Sequence, residues 1–229
     1  MSRPRPPVDK VVAVDGGVRT GKTSVSAAVA DRLGVRHINT GLVYRATAWA
    51  ARLAGISLDD EAGLAGFLEM MENDIAFIGS HEIAFAGYVL NDEDLRTPEV
   101  SAGASQVGSL YGVRQRLIVI QRRAGQGGAV LDGRDIGTVI FPDAYLKIFL
   151  TVDVVEARRR AIERDSEAVA LFDLKRDQQD AVNTQPATDA IVVDTSHLSL
   201  KQVVEKVLEE FSHKRFVEAL QRHGYHQAT

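Results

Sequence analysis

The chain has 229 residues, of which 45% are hydrophobic and 25% charged, an ordinary composition for a globular protein. Its formal net charge of −4 gives no general attraction to nucleic acid or to a membrane surface, so we predict neither as a partner. The lack of cysteine excludes disulfides and thiolate chemistry. No apolar run approaches the ~20 residues of a membrane-spanning helix, and residues 1–10 contain three prolines without an apolar core. We therefore predict a cytoplasmic protein with a flexible N-terminal tail.

A stretch close to the N-terminus matches the pattern of a phosphate-binding loop. Residues 16–23 read GGVRTGKT, which fits G-x-x-x-x-G-K-[ST] between an apolar β-like run and a helix-like segment. Such a loop surrounds phosphates with backbone N–H groups, while Lys22 reaches the outer phosphates and the Thr23 hydroxyl can ligate Mg²⁺. The alternative, a glycine-rich turn that binds nothing, is disfavoured by this context. We predict nucleoside triphosphate contacts from Gly16, Gly17, Val18, Arg19, Thr20, Gly21, Lys22, Thr23 and Ser24.

The sequence around this loop predicts alternating strands and helices. Continuous apolar, β-branched residues indicate a buried strand over 11–15, and apolar positions on one face indicate a helix over 22–33. A short strand over 35–38 follows. Thr40 is expected to cap the next helix, which continues through residue 54.

The middle of the chain departs from this alternation. A helix over 58–72 is followed by short β runs within 74–90 that glycine-containing turns separate. These runs predict a small antiparallel meander inserted into the α/β pattern. Pro98 then begins a helix through about residue 109, and a second helix covers 111–124.

The last third of the chain completes the predicted sheet. Apolar runs indicate strands over 128–131, 145–151 and 190–194, and a packed helix begins at Leu200. Five apolar strands interleaved with helices predict an α/β fold with a doubly wound, parallel five-stranded sheet. In such folds the ligand site lies beyond the carboxyl ends of the strands.

Two charged features fall near that edge. Asp132 follows a predicted strand, where a nucleotide-bound Mg²⁺ would be met, although a plain strand-to-loop turn is the alternative. Residues 156–180 form a charged helical stretch rich in arginine. Such a stretch is either a solvated helix face or a source of cations for a transferred phosphate.

Six short motifs between residues 11 and 208 are shared with one protein family. They are TGLVYRA (40–46), LRTPEVSAGASQV (95–107), VRQRLIVIQR (113–122), DGRDIGTVIFPDA (132–144), KIFLT (147–151) and DAIVVDTS (189–196). Through them the chain resembles the bacterial cytidylate kinases of the P-loop nucleoside monophosphate kinase superfamily. DGRDIGTVIFPDA is the most specific of the six, and the β insertion also fits, because bacterial members enlarge their monophosphate-binding domain with a small sheet.

The resemblance implies ATP and CMP as substrates and assigns residues to each. The CMP-binding residues that it implies are Thr40, Arg45, Ser105, Arg114, Arg134, Asp135, Arg176 and Asp180. A carboxylate can accept a hydrogen bond from the exocyclic amino group of cytosine, while serine and arginine donate to its N3 and O2. The catalytic cations that it implies are Lys22, Arg134, Arg159 and Arg176, with Arg159 favoured among the three consecutive arginines of the lid. Mg²⁺ would lie near Thr23 and Asp132.

The resemblance also implies how the chain is divided. Residues 1–10 and 212–229 would be tails on either side of a kinase domain over 11–211. Within that domain we predict a core (11–38, 125–152 and 188–211), a monophosphate-binding region (39–124, with its β insertion at 74–90) and a short helical lid (153–187).

Some positions depart from the family's pattern. Asn39 stands where aspartate is usual, and Asn183 stands where an arginine usually follows the R-D-x-x-D motif. The segments before Arg176 and before the DAIVVDTS motif are shorter than usual. The loop residues 18–20 are small in most relatives but read Val-Arg-Thr here.

We predict that the chain is a monomer that transfers a phosphoryl group from ATP to CMP and dCMP, with Mg²⁺ as the cofactor. One alternative is another kinase on the same scaffold, acting on shikimate or a different monophosphate. A second alternative is a nucleotide-binding regulatory module that has lost catalysis, which Asn183 and the shortened lid favour.

Overall fold

A central parallel sheet and a smaller antiparallel sheet organise the computed structural model, which describes residues 9–164 and 184–222. The strands are β1 (Val11–Gly16), β2 (Arg36–Asn39), β3 (Ala76–Gly79), β4 (Glu82–Phe85), β5 (Tyr88–Asn91), β6 (Ala129–Gly133), β7 (Leu146–Thr151) and β8 (Ile191–Asp194). The central sheet has the order β2-β6-β1-β7-β8, and each neighbouring pair is parallel. The predicted five-stranded parallel sheet is confirmed.

Strand β1 lies at the centre of the sheet because its side chains are apolar on both faces. Val12, Ala13 and Val14 are each at most 1% exposed, as expected for a strand covered on both sides. The register pairs Val14 with Asp132 on β6. Because the two strands run parallel, the loops that follow them leave the sheet side by side at its carboxyl edge.

Seven α-helices and two short helical turns connect the strands within the described residues. The helices are α1 (Lys22–Leu33), α2 (Gly41–Leu53), α3 (Glu61–Met71), α4 (Pro98–Ser109), α5 (Tyr111–Gly125), α6 (Val154–Arg164) and α7 (Leu200–Arg222). A 3₁₀ turn covers Glu72–Asp74, and a π-helix covers Ile136–Ile140. Side chains cap the starts of α3, α4, α6 and α7: Asp60 accepts from the Gly63 amide, Thr97 from the Val100 amide, Asp153 from the Glu156 amide and Ser199 from the Gln202 amide.

The predicted β insertion is the antiparallel sheet β3-β4-β5. Ala86 and Gly87 join β4 to β5 with φ angles of 50° and 81°, which is the left-handed backbone of a two-residue hairpin turn. Strand β4 turns Ile83 and Phe85, both fully buried, toward a hydrophobic cluster that helices α2, α3, α4 and α5 complete. The buried residues between 42 and 120 thus have a core of their own beside the central sheet. None of the helices within the described ranges is long and apolar enough to cross a membrane.

Three local features differ from the sequence-based expectations. Thr40 precedes α2 as predicted, but its hydroxyl makes no cap and instead donates to the Asp132 carbonyl at 2.8 Å. Helix α7 continues to Arg222, past residue 211, so residues 212–222 extend the last helix rather than begin a separate tail. The π-helix that follows Asp135 was not predicted. Arg176, Asp180 and Asn183 lie outside the described residues.

Candidate active site

The phosphate loop joins β1 to α1 with a backbone that requires glycine at two positions. Gly16 has a φ of 152°, and a Cβ there would lie 2.5 Å from the Leu150 carbonyl oxygen. Gly21 has a φ of 84° directly before α1. Arg19 also adopts a left-handed φ of 63°, a conformation that costs an ordinary residue about 1–2 kcal/mol. The loop is therefore a specific, partly strained turn rather than a generic connection.

Hydrogen bonds within the loop and behind it hold this turn. Lys22 Nζ donates to the Gly17 carbonyl at 2.8 Å, and Thr20 Oγ1 donates to the same oxygen at 3.0 Å. On the outer side, Arg160 Nη1 donates to the Arg19 carbonyl at 3.1 Å, and Thr195 Oγ1 donates to the Thr20 carbonyl at 3.2 Å. The carbonyls of Gly17, Arg19 and Thr20 are therefore engaged by side chains, and backbone N–H groups are the donors that such a loop offers to a phosphate.

Arg160, and not Arg159, is the α6 arginine that contacts the phosphate loop. Arg160 also donates to the Thr195 carbonyl at 2.6 Å, which links α6 to the end of β8. The Arg159 side chain is 55% exposed and pairs with Glu156 at 2.7 Å and with Glu163 on its own helix. The described contacts of Arg159 are therefore with its own helix, and none of these described contacts reaches the phosphate loop to support its predicted catalytic role.

Thr23 and Asp132 offer adjacent oxygen atoms for a divalent cation. Thr23 Oγ1 lies 2.7 Å from Asp132 Oδ2, and the other carboxylate oxygen lies 2.7 Å from His37 Nε2. Asp132 and His37 are buried, with side-chain exposures of 2% each. A hydroxyl and a carboxylate are the hard donors that Mg²⁺ prefers, so the pair fits the predicted cofactor. Within the described residues no three His, Cys, Asp or Glu side chains cluster as a metal cage.

Asp15 is a buried carboxylate at the end of β1, directly before the loop. Its Oδ1 accepts from the Ile136 amide at 2.8 Å, and its Oδ2 accepts from the Gly137 amide at 2.7 Å. Burial raises the pKa of Asp15 to about 6, although the two amides and the Lys22 charge act in the opposite direction.

Residues predicted to surround the cytosine come from three separate elements. Arg114 on α5 forms an ion pair with Asp135, which follows β6, so the structure brings these two together. Ser105 lies on α4, where its hydroxyl is 3.5 Å from the Ser101 carbonyl. Arg134, adjacent to Asp135 in the chain, has its Nη1 3.5 Å from Thr184 Oγ1.

Arg45, predicted to hold the acceptor phosphate, belongs to a buried charge cluster. It pairs with Asp92, which also accepts from Arg96 at 2.7 Å. Burial would raise the pKa of Asp92, but the Arg45 and Arg96 charges outweigh it and hold that pKa below its usual value. The cluster fixes the position of Arg45 on α2 and keeps its guanidinium away from bulk solvent, since its side chain is 13% exposed.

Asn39, where the family pattern has aspartate, keeps a hydrogen bond that either residue could make. Its Oδ1 accepts from the Gly41 amide at 3.1 Å at the start of α2. The amide oxygen supplies the same acceptor as a carboxylate there, without the negative charge.

Several residues of this edge were missed by the sequence reasoning. They are Asp15, His37, Asp92 and Thr195, whereas Arg160 was among the three arginines considered and Arg159 was favoured over it. Asp15 follows the same rule as Asp132, an acidic residue at the carboxyl end of a parallel strand, and could have been found. His37 and Asp92 lie in short strand and turn segments whose patterns carry no signal for a site.

The parallel sheet, the phosphate loop and the cluster of cations at one edge define a P-loop kinase. The chain belongs to the cytidylate kinase family, whose family model matches residues 12–213. A cytidylate kinase of Desulfitobacterium hafniense (strain Y51) is 39% identical over 216 residues, which cover 89% of this chain and 93% of that protein. The cytidylate kinase of Geobacter sulfurreducens is 38% identical, covering 86% of this chain and 90% of that protein. The Acholeplasma laidlawii cytidylate kinase is 39% identical, covering 86% and 93%.

Proposed function

We infer that the chain transfers the γ-phosphoryl group of ATP to CMP, forming ADP and CDP, and that dCMP is a second acceptor. Membership of the cytidylate kinase family supports this inference. The observation that carries the choice of base is the contact between Arg114 and Asp135, beside Arg134 at the same edge as the phosphate loop.

The chemistry of this pair suits cytosine better than uracil. The exocyclic amino group of cytosine donates a hydrogen bond, which the Asp135 carboxylate can accept, and its N3 and O2 accept from Arg114. Uracil carries an oxygen in place of the amino group and a proton on N3. The Asp135 carboxylate would then face another acceptor, and the Arg114 guanidinium would face another donor. A site built for hydrogen bonding rejects such an analogue strongly, because its own polar groups are left unpaired.

The chain's residues act on the reaction by position and charge. The loop amides and Lys22 hold the ATP phosphates, while Arg45 and Arg134 hold the phosphate of CMP so that the two nucleotides meet in line. No general base is needed, because the attacking phosphate oxygen is already an anion. A Mg²⁺ ion near Thr23 and Asp132, if bound with ATP, would neutralise charge that develops on the transferred group.

Other parts of the proposal extend beyond the described residues. We assign Arg176 and Asp180 to the closing side of the CMP site, with residues 153–187 as a lid that excludes water. The monophosphate-binding region over 39–124 agrees with the separate hydrophobic cluster between residues 42 and 120.

We also propose that the protein is a monomer, which size-exclusion chromatography with light scattering tests. We propose a cytoplasmic location, which cell fractionation tests.

The test is a coupled assay of ADP release with CMP, dCMP, UMP, AMP and shikimate as acceptors. We expect CMP and dCMP to give the highest kcat/KM and Mg²⁺ to be required. Shikimate or AMP as the preferred acceptor would replace this proposal with another kinase activity. ATP binding without turnover of any acceptor would instead favour a regulatory nucleotide-binding protein.

A further inference from the structure

Asp15 makes contacts that link the two halves of the site. The residue is 5% exposed, and its two carboxylate oxygens each accept one backbone amide, from Ile136 and Gly137. Gly16, the first residue of the phosphate loop, follows it directly. Arg134 and Asp135 directly precede the two amides. One side chain therefore joins the start of the donor loop to the turn that carries the acceptor contacts.

The turn after β6 is built to meet this carboxylate closely. A Cβ on Gly137 would lie 3.4 Å from Asp15 Oδ2 and 3.2 Å from the Lys147 side chain, so the backbone at residue 137 lies directly against the aspartate. A Cβ on Gly133 would lie 2.6 Å from Ile136 Cδ1, which closes the other side of the turn. The two amides are also the first of the π-helix, where backbone donors have no partner within the helix.

A carboxylate in this position carries an energetic penalty that apolar packing would not. Burying a charged group is unfavourable unless hydrogen bonds compensate for the lost water. Its two carboxylate oxygens accept from the two amides of the acceptor turn. The presence of a buried carboxylate at this position is therefore better explained by the backbone that it positions than by a contribution to stability.

We propose that Asp15 is a positioning residue that holds the Arg134–Asp135 turn in register with the phosphate loop and thereby sets discrimination for the acceptor base. The proposal rests on the function inferred above, since it assigns Asp135 to cytosine. We call the two hydrogen bonds from the Ile136 and Gly137 amides to Asp15 the clamp. Without the clamp the turn can shift, so the contacts to CMP weaken while the phosphate loop keeps its own hydrogen bonds.

Asp15→Asn is the direct test, because asparagine keeps the shape and can accept only one of the two amides. We expect the ratio of kcat/KM for CMP over UMP to fall about tenfold and the KM for CMP to rise by a similar factor, the size of one lost hydrogen bond to a charged group. The dissociation constant of ATP without acceptor should stay within about twofold of the wild-type value, since the loop is intact. Asp60→Asn is the matched control: it also removes a carboxylate that caps a backbone amide, at the start of α3, and should leave the ratio unchanged.

A double-mutant cycle separates positioning from general damage. If Asp15 acts through Asp135, then Asp15→Asn should have little further effect on base discrimination in an Asp135→Ala background. An unchanged CMP over UMP ratio in the single variant, or an equal loss of ATP and CMP affinity, overturns the proposal.

Amide hydrogen exchange of the wild-type chain tests the clamp without any variant. The Ile136 and Gly137 amides should exchange at least about tenfold more slowly than the exposed amides of neighbouring loops, because each donates to a buried acceptor. Rapid exchange at both amides overturns the clamp even if Asp15→Asn fails to fold. Protected amides in a chain that does not phosphorylate CMP would support the clamp and reject the function, so the two failures are distinguishable.

Discussion

The two proposed halves of the site, the donor half for ATP and the acceptor half for CMP, are built in different ways. The proposed donor half is one contiguous loop, residues 16–24, whose Arg19 and Thr20 carbonyls accept hydrogen bonds from Arg160 and Thr195. The acceptor half takes single side chains from α2, α4, α5 and the turn after β6, and two of these, Arg45 and Arg114, are already paired with carboxylates. If these assignments hold, ATP binding depends mainly on one loop and the contacts behind it, whereas CMP binding depends on how four elements pack together.

The largest effect is expected from removing the donor-side cation. Lys22→Met should lower kcat by about 10³-fold or more, because it removes the charge that follows the transferred phosphoryl group. The affinity for CMP alone, measured by calorimetry, should change less than about twofold if the two halves are separable. Lys201→Met, at a lysine whose side chain is 84% exposed on α7, is the control. A fall in kcat of less than about tenfold would contradict this role for Lys22.

The second effect concerns Asp15, which links the two halves of the site, and it is measured as a change in the free energy of unfolding with pH. The pKa of Asp15, about 6 in the folded chain against an ordinary 3.8, means that the folded state holds this proton more tightly than the unfolded state. The stabilisation from that proton is complete below about pH 4 and is lost as the pH rises through 6. The free energy of unfolding of the wild type relative to Asp15→Asn should therefore fall by up to about 3 kcal/mol between pH 4 and pH 7. Urea unfolding at several pH values measures it, and a pH-independent difference would mean that burial does not raise this pKa.

On the acceptor side, Asp135→Ala should abolish much of the discrimination between bases. We expect the ratio of kcat/KM for CMP over UMP to fall about 100-fold, with the main loss in CMP turnover. Asp143→Ala, at an exposed aspartate in the loop before β7, should leave the ratio unchanged. Equal ratios in the Asp135 variant and the wild type would show that another residue recognises the base.

The smallest effect distinguishes the neighbouring arginines of α6. Arg160→Ala should raise the KM for ATP about tenfold, because it removes hydrogen bonds to the loop and to Thr195. Arg159→Ala should change it less than about twofold, since an exposed ion pair contributes little. A larger loss from Arg159→Ala would support the assignment made from the family resemblance and would make Arg160 the structural member of the pair.

The same contrast governs what the sequence could predict. The phosphate loop is a contiguous pattern, and the left-handed backbone angles at Gly16 and Gly21 explain its glycines from the loop itself. The acceptor contacts have no pattern of their own: Arg45 taken alone resembles a surface arginine, and its assignment came from the family motifs. Asp92, 47 residues away in the chain, fixes Arg45, and the hydrophobic periodicity of the sequence does not predict a contact between such distant residues.

Two errors show where tertiary contacts overrode local rules. Thr40 has the residue type and position of a helix cap, yet its hydroxyl binds the Asp132 carbonyl, because β2 and β6 are neighbours in the sheet. Helix α7 continues past residue 211, where Lys214 Nζ lies 5.1 Å from the centroid of the Tyr145 ring, so a contact with the residue before β7 accompanies the extension.

The left-handed backbone at Arg19 has a consequence for the kinetics of nucleotide capture. Arg160 and Thr195 hold the carbonyls of Arg19 and Thr20 from the outer side, so the turn is held by contacts that involve no phosphate. The left-handed angle is unfavourable for an arginine, so the turn depends on these two hydrogen bonds. ATP association should therefore proceed without a separate ordering step, and its observed rate in stopped-flow measurements should rise linearly with ATP concentration.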